Sequence, residues 1–184
     1  MIEAAILWRR LDTEGHDSCQ LFRLADGWRL TGMAVFGHEG KACVASYEAE
    51  CDAAWRTRSS KVTGWLGPQA LDFQISTDGA RWTLNGVEQP QVVGCIDVDL
   101  GFTPATNLLA LRRYALAIGQ QTPAPAAYLA FPEPRLERLE QTYRRLDATK
   151  YNYTASAYGY DDVLKVSEHG FVLDYPGLWK AAQA

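Results

Sequence analysis

A mainly β chain with little helix, built on an antiparallel sheet, is the fold class this sequence predicts, and three observations predict it. Glycine and polar turn signals cut the first 85 residues into short apolar runs at the 8 to 12 residue spacing expected of consecutive strands. Several of those runs alternate apolar and polar residues with the period of two that puts one face of a strand inside. The aromatic load is high, with 6 Trp and 9 Tyr against 2 Met, and rigid amphipathic rings favour pleated, half-buried surfaces.

The elements follow in order. Ala4 to Leu11 is the first run, broken by the Asp12 to Asp17 cluster that contains Gly15. Cys19 to Leu24 and Trp28 to Val35 are joined through Asp26-Gly27, a strong hairpin signal. After Gly37 to Gly40, Lys41 to Glu50 sets Cys43, Ala45, Tyr47 and Ala49 on one face. Trp55 to Leu66 is a longer strand, and Ala70 to Ser76 turns at Thr77-Asp78-Gly79 into Ala80 to Leu84, which Asn85-Gly86 ends.

The second half is less regular. Val92 to Leu100 is apolar apart from Asp97 and Asp99, and Asn107 to Ile118 is leucine-rich around Arg112 and Arg113. Four prolines between Gln120 and Pro134 leave room for one short strand, Ala127 to Phe131. Leu136, Leu139, Tyr143 and Leu146 carry helical spacing, yet Tyr151, Tyr153 and Ala155 then alternate as a strand that needs an upstream partner. Periodicity leaves that stretch open between helix and strand. Asp162 to Ser167 and Phe171 to Asp174 form a hairpin about Glu168-His169-Gly170, stopped by Pro176-Gly177.

At 184 residues, with 47% hydrophobic and 22% charged residues, the chain is expected to form one domain spanning residues 1–184 and burying its own core. A formal net charge of −4 with no basic run argues against nucleic acid as a partner. No apolar stretch has the length of a signal sequence or a spanning helix, so no integral membrane segment and a cytoplasmic location are expected. Cys19, Cys43, Cys51 and Cys95 lack the spacing of a zinc site, and neither a metal nor a cofactor is expected. The sequence does not speak to oligomeric state.

Chemistry-bearing residues are few. Asp97 and Asp99, two apart on a strand, share a face opposite Ile96, Val98 and Leu100. They fit an acid and base pair, an anchor for a hydroxyl-rich ligand, or carboxylates that face solvent or pair with Arg112 and Arg113. No nucleophile elbow, phosphate loop or zinc-protease motif is present, and His16, His38 and His169 fall in polar turn clusters. Tyr151, Tyr153, Tyr158 and Tyr160 are dense, with Tyr143 and Tyr175 nearby, and suit either a cross-strand ladder or a stacking surface for sugars.

The run Gly94-Cys95-Ile96-Asp97-Val98-Asp99-Leu100, then Thr103-Pro104-Ala105-Thr106-Asn107 and Leu111-Arg112-Arg113, resembles the central signature of the bacterial putative glycolipid-binding family. Trp55-Arg56-Thr57-Arg58, Gln141-Thr142-Tyr143, Tyr151-Asn152-Tyr153 and Val172 to Trp179 extend the resemblance over most of the chain in the expected order. The resemblance implies many antiparallel strands curved into an incomplete barrel, akin to bacterial lipoprotein carriers, and it places the Tyr143 stretch on a strand.

Together these readings favour non-enzymatic binding of an amphipathic, glycolipid-like or other acyl-bearing molecule in a cavity of the curved sheet. The expected contacts are Asp97, Asp99, Asn107, Arg112, Tyr143, Tyr151, Tyr153, Tyr175, Trp55, Arg58 and Trp179. The acidic pair is expected to stay charged, held down by neighbouring cations, with Asp97 and Asp99 against Arg112 or Arg113. A hydrolase using Asp97 and Asp99, and an interaction module that pairs through a sheet edge, are the alternatives.

Overall fold

The computed structural model describes residues 1–182. Six long strands, β1 (Ile2–Arg10), β2 (Gly15–Arg23), β3 (Gly27–His38), β4 (Lys41–Asp52), β5 (Thr57–Leu66) and β6 (Gln69–Thr77), run as an antiparallel meander that ends in the short β7 (Trp82–Leu84) and β8 (Val87–Glu88). The predicted alternation on β4 is real, for Cys43, Ala45, Tyr47, Ala49 and Cys51 are all buried. Strand β2 starts earlier than expected, so His16 lies on the strand opposite Val35 rather than in a turn.

A 3-10 turn at Pro90–Val92 leads to β9 (Asp97–Asp99) and α1 (Asn107–Tyr114), the one α-helix among the described residues. Then come β10 (Gln121–Pro123), β11 (Ala126–Leu129), β12 (Leu136–Leu139), β13 (Gln141–Arg145), β14 (Lys150–Ala155), a 3-10 turn at Ser156–Tyr158, β15 (Tyr160–Val166), β16 (Val172–Tyr175) and β17 (Trp179–Ala181).

Fourteen strands make one antiparallel sheet in the order β10-β13-β14-β15-β16-β17-β1-β2-β3-β4-β5-β6-β7-β8, which has two free edges and does not close into a barrel. Strands β12, β11 and β9 form a second sheet, with β11 antiparallel to β12 and parallel to β9. The parallel pair is a departure from the all-antiparallel expectation. This small sheet and α1 fill the inner face of the large sheet, because Val98, Leu100, Leu108, Leu109, Leu129 and Leu136 share one core with Trp8, Leu21, Tyr47 and Phe73. Burying each of those leucines contributes about 1.5–3 kcal/mol before entropy is counted. Thr57 ties the layers together: its hydroxyl accepts the Val98 N–H at 3.0 Å, and its own N–H donates to the Ile96 carbonyl at 3.2 Å.

Two local readings change. The helical spacing from Leu136 to Leu146 arises because the chain leaves the small sheet at Leu139 and enters the large one at Gln141, so two short strands with unrelated inner faces mimic one helical stripe. On β9, Asp97 and Val98 are both buried while Ile96 is exposed, because the strand is covered on both sides. Among the described residues no helix is long and apolar enough to cross a membrane. All four cysteines are free and buried.

Candidate functional site

A recess of about 250 Å³ opens between the C-terminal half of the large sheet and the inner layer. The sheet contributes Tyr153, Ala155, Tyr160, Tyr175 and Trp179, which reach it because strand residues two apart point the same way. The inner layer contributes Asp99, Gly101, Thr103, Asn107 and Tyr128. Leu139 and Leu178 add apolar wall, and Tyr158 stands at the 3-10 turn, its ring centroid 5.6 Å from that of Tyr128. Tyr128 is brought in by the parallel register, which sets it directly opposite Asp99. Gly101 makes the approach possible: its φ is +62°, and a Cβ there would lie 2.6 Å from the Tyr128 ring.

The rings form a connected wall. Tyr153 lies 5.8 Å from both Tyr160 and Tyr175, edge-on to the latter, and Tyr160 and Tyr175 are 5.1 Å apart. Two of the three are anchored by their hydroxyls. Tyr153 donates its hydroxyl proton to Gln141 Oε1 at 2.7 Å, and Tyr160 donates to the Pro176 carbonyl at 3.0 Å. Asn107 donates its amide to the Tyr143 hydroxyl at 2.7 Å. Burial pushes the phenols of Tyr128, Tyr153, Tyr160 and Tyr175 well above their ordinary range, so they stay neutral at physiological pH.

The acidic pair is divided by function of place. Asp97 is 1% exposed and holds Arg113 bidentately, Nη2 to Oδ2 at 2.5 Å and Nε to Oδ1 at 3.0 Å. Asp99 faces the recess, accepts the Gly101 N–H at 2.8 Å and makes no ion pair. Burial raises the Asp99 carboxyl to about 6, the Gly101 N–H opposes the rise, and the Asp97 charge adds to it. Asp97 is also raised, by burial against the pull of Arg113. The expectation that cationic neighbours hold both carboxyls down is therefore corrected: desolvation outweighs them.

Beside Thr103 lies a further buried acid. Asp17 is fully buried, accepts from the Tyr47 hydroxyl at 2.9 Å and from the Thr103 hydroxyl at 2.5 Å, and is raised to about 6 by burial against those hydrogen bonds. Gly32 permits this contact, since a Cβ there would sit 2.3 Å from the Tyr47 hydroxyl.

Of the eleven contacts expected from the sequence, the recess brings together Asp99, Asn107, Tyr153, Tyr175 and Trp179. Tyr143 is buried behind Asn107, and Asp97 is buried behind Asp99. Trp55, Arg112 and Tyr151 line a separate cleft of about 440 Å³, where Arg112 lies 5.2 Å over the Trp55 ring and Trp55 stacks on Trp28 at 4.5 Å. Arg58 lies outside both recesses, paired with the exposed Asp26 at 2.7 Å. Tyr128, Tyr158, Tyr160 and Thr103 are additional lining residues. Tyr158 and Tyr160 were signalled by the dense tyrosine group and Thr103 lies in the stretch that carries the family resemblance, whereas nothing local marks Tyr128. The thiols of Cys43, Cys51 and Cys95 are pushed by burial to about 11, about 12 and about 11, which leaves them protonated and unreactive. Among the described residues no group of His, Cys, Asp and Glu could hold a metal ion.

No curated protein matches the chain. The crystal structure at 1.80 Å of a DUF1089 family protein from Pseudomonas aeruginosa is similar, with a TM-score of 0.76, 29% identity, and coverage of 89% of this chain and 91% of that one. A family described as "Putative glycolipid-binding" matches residues 5–181. With nearly its whole length matched, and with the sheet, inner layer and Asp97-to-Arg113 signature in place, this chain belongs to the putative glycolipid-binding family.

Proposed function

We propose that the protein is a non-enzymatic binder of an amphipathic, glycolipid-like molecule, and that the tyrosine-walled recess takes the polar headgroup. One observation carries this reading: five tyrosines and a tryptophan, rings of the kind that stack on sugars, line the recess together with Asp99, Asn107 and Thr103, which can hydrogen-bond hydroxyls. At about 250 Å³ the recess lies just under the roughly 300–1,000 Å³ of ordinary ligand sites. It suits a headgroup, with the acyl part outside it. The family description supports a ligand of this class.

A hydrolase that uses Asp97 and Asp99 as acid and base would need both carboxyls beside one substrate, and Asp97 is instead locked to Arg113 behind the recess. An interaction module that pairs through a sheet edge has short edges to offer, a three-residue β10 and a two-residue β8. The test is calorimetric titration with n-octyl β-D-glucopyranoside below its micelle concentration, alongside native mass spectrometry of the freshly purified protein. Saturable one-to-one binding that Tyr175→Ala weakens is expected. Absence of saturable binding together with absence of any lipid-sized adduct overturns the proposal.

A further inference from the structure

Five tyrosines and Trp179 surround the recess, and the one ionisable group of low ordinary pKa among its lining residues is Asp99. No lysine or arginine is among the lining residues described. Two arginines adjoin its surroundings, each with a carboxylate partner. Arg113 is paired with Asp97, and Arg10, whose guanidinium lies 5.2 Å from the Trp179 ring centroid, is held through Nε and Nη2 by both oxygens of Asp12 at 2.8 and 3.0 Å, while its buried Nη1 has no hydrogen-bond partner among the described residues. Beside Thr103, Asp17 adds a second carboxylate with hydroxyl partners and no cation. The Asp97–Arg113 pair cancels, so the carboxylate charge at the recess is net negative, and aromatic rings line its walls.

Asp99 is half-buried, and a carboxylate partly withdrawn from water without a counter-ion costs the folded protein stability unless something bound supplies the charge. Rings arranged around such a carboxylate attract a cation through their quadrupoles, which is how aromatic cages hold organic ammonium groups. An anionic headgroup would meet the same features as repulsion. We infer that the headgroup taken by this recess carries a protonated amine, so that the ligand class is an amino-sugar amphipath rather than a neutral or anionic glycolipid. The inference rests on reading the recess as a headgroup site, and it adds the charge of that headgroup. In the bound state the ammonium lies against Asp99 while the sugar ring stacks on the Tyr153, Tyr160 and Tyr175 wall.

Three probes below their micelle concentrations decide it by calorimetry at pH 7: n-octyl β-D-glucopyranoside, its 2-amino-2-deoxy counterpart, and the N-acetyl form of the latter. The amine probe should bind about tenfold more tightly than the other two, the scale of a cation held by aromatic faces and a partly desolvated carboxylate. Asp99→Asn should bring the ratio of amine to neutral affinity close to one. Comparison with the N-acetyl probe tests the same charge without altering the protein. Equal affinity for amine and neutral probes overturns this inference and leaves the headgroup reading standing. Amine preference that persists in Asp99→Asn overturns the role given to Asp99. Saturable binding of none of the three overturns the headgroup reading itself.

Discussion

Replacing Arg113 with alanine should be among the most damaging single changes at this site, although Arg113 does not line the recess. The Asp97 side chain is 2% exposed and that of Arg113 11%, and the contacts are 2.5 and 3.0 Å. At about 3 Å and an effective dielectric near 20, the attraction is about 5 kcal/mol. Removing one partner leaves the other charge buried, a change that costs about 3–5 kcal/mol in comparable pairs. For a chain of this length, that corresponds to a fall in Tm of roughly 6–20 °C. Urea unfolding followed by tryptophan fluorescence measures it, with the slope m checked for constancy. Two controls separate charge from packing. The double variant Asp97→Leu with Arg113→Met should recover most of the loss, because apolar side chains of similar volume need no partner. In Arg113→Ala alone, the freed Asp97 carboxyl is raised further. A carboxyl raised on folding stabilises below its unfolded pKa and loses that stability as pH rises through the folded value. The deficit should therefore shrink as pH falls from 7 towards 5. A loss under about 1 kcal/mol, or a deficit indifferent to pH, would refute the reasoning.

Asp17 rises from 3.8 to about 6 on folding, so stability on the order of 3 kcal/mol present at pH 4 should be lost by pH 7, and the Asp17→Asn profile from urea melts should be flatter by that amount. Gly32→Ala puts a Cβ 2.3 Å from the Tyr47 ring and should cost about 1–3 kcal/mol, read as a lower urea midpoint; an unchanged midpoint would mean Tyr47 does not need that space. Tyr175→Ala should weaken octyl glucoside binding roughly three- to tenfold, the value of one aromatic stack. Arg58→Ala should leave it unaltered, since Arg58 pairs with Asp26 outside the recess; equal losses in both would misplace the headgroup.

The outer meander was legible because its information is local. Alternation on β4 and the Asp26-Gly27 turn state both the strands and their register, and β3 pairs with β4 residue for residue from Gly27 to His38. The inner layer was not legible, because its rules are set by what covers it. Strand β9 is buried on both faces, so alternation misplaces Asp97. Helix α1 starts without a side-chain cap at Thr106 or an acidic residue in its first turn, so the usual start signals are missing. At the candidate site, Tyr153 and Tyr175 were marked by their tyrosine neighbours. Tyr128 sits alone in a proline-rich stretch, and only the parallel pairing of β11 with β9 carries it to Asp99. Tyr151 shows the converse: it stands two residues from Tyr153 on the same strand, yet faces another cleft.

The order of strands in the large sheet also bears on how the chain assembles. Nearly every pairing joins strands close in sequence, so the two halves, β1 to β8 and β13 to β17, can each zip from hairpins with small losses of loop entropy. Besides β10, which reaches past β11 and β12 to pair with β13, the exception is the seam at the middle of the sheet, where β1 meets β17 through Trp8, Arg9 and Arg10 against Ala181, Lys180 and Trp179. That junction ties together the two ends of the described chain, the most expensive loop the molecule closes, for three paired positions. By loop entropy alone, it is the pairing expected to close after the hairpins on either side of it. Because Leu178 and Trp179 sit at or beside the seam, the wall of the recess they supply depends on the one junction that joins the two ends of the described chain.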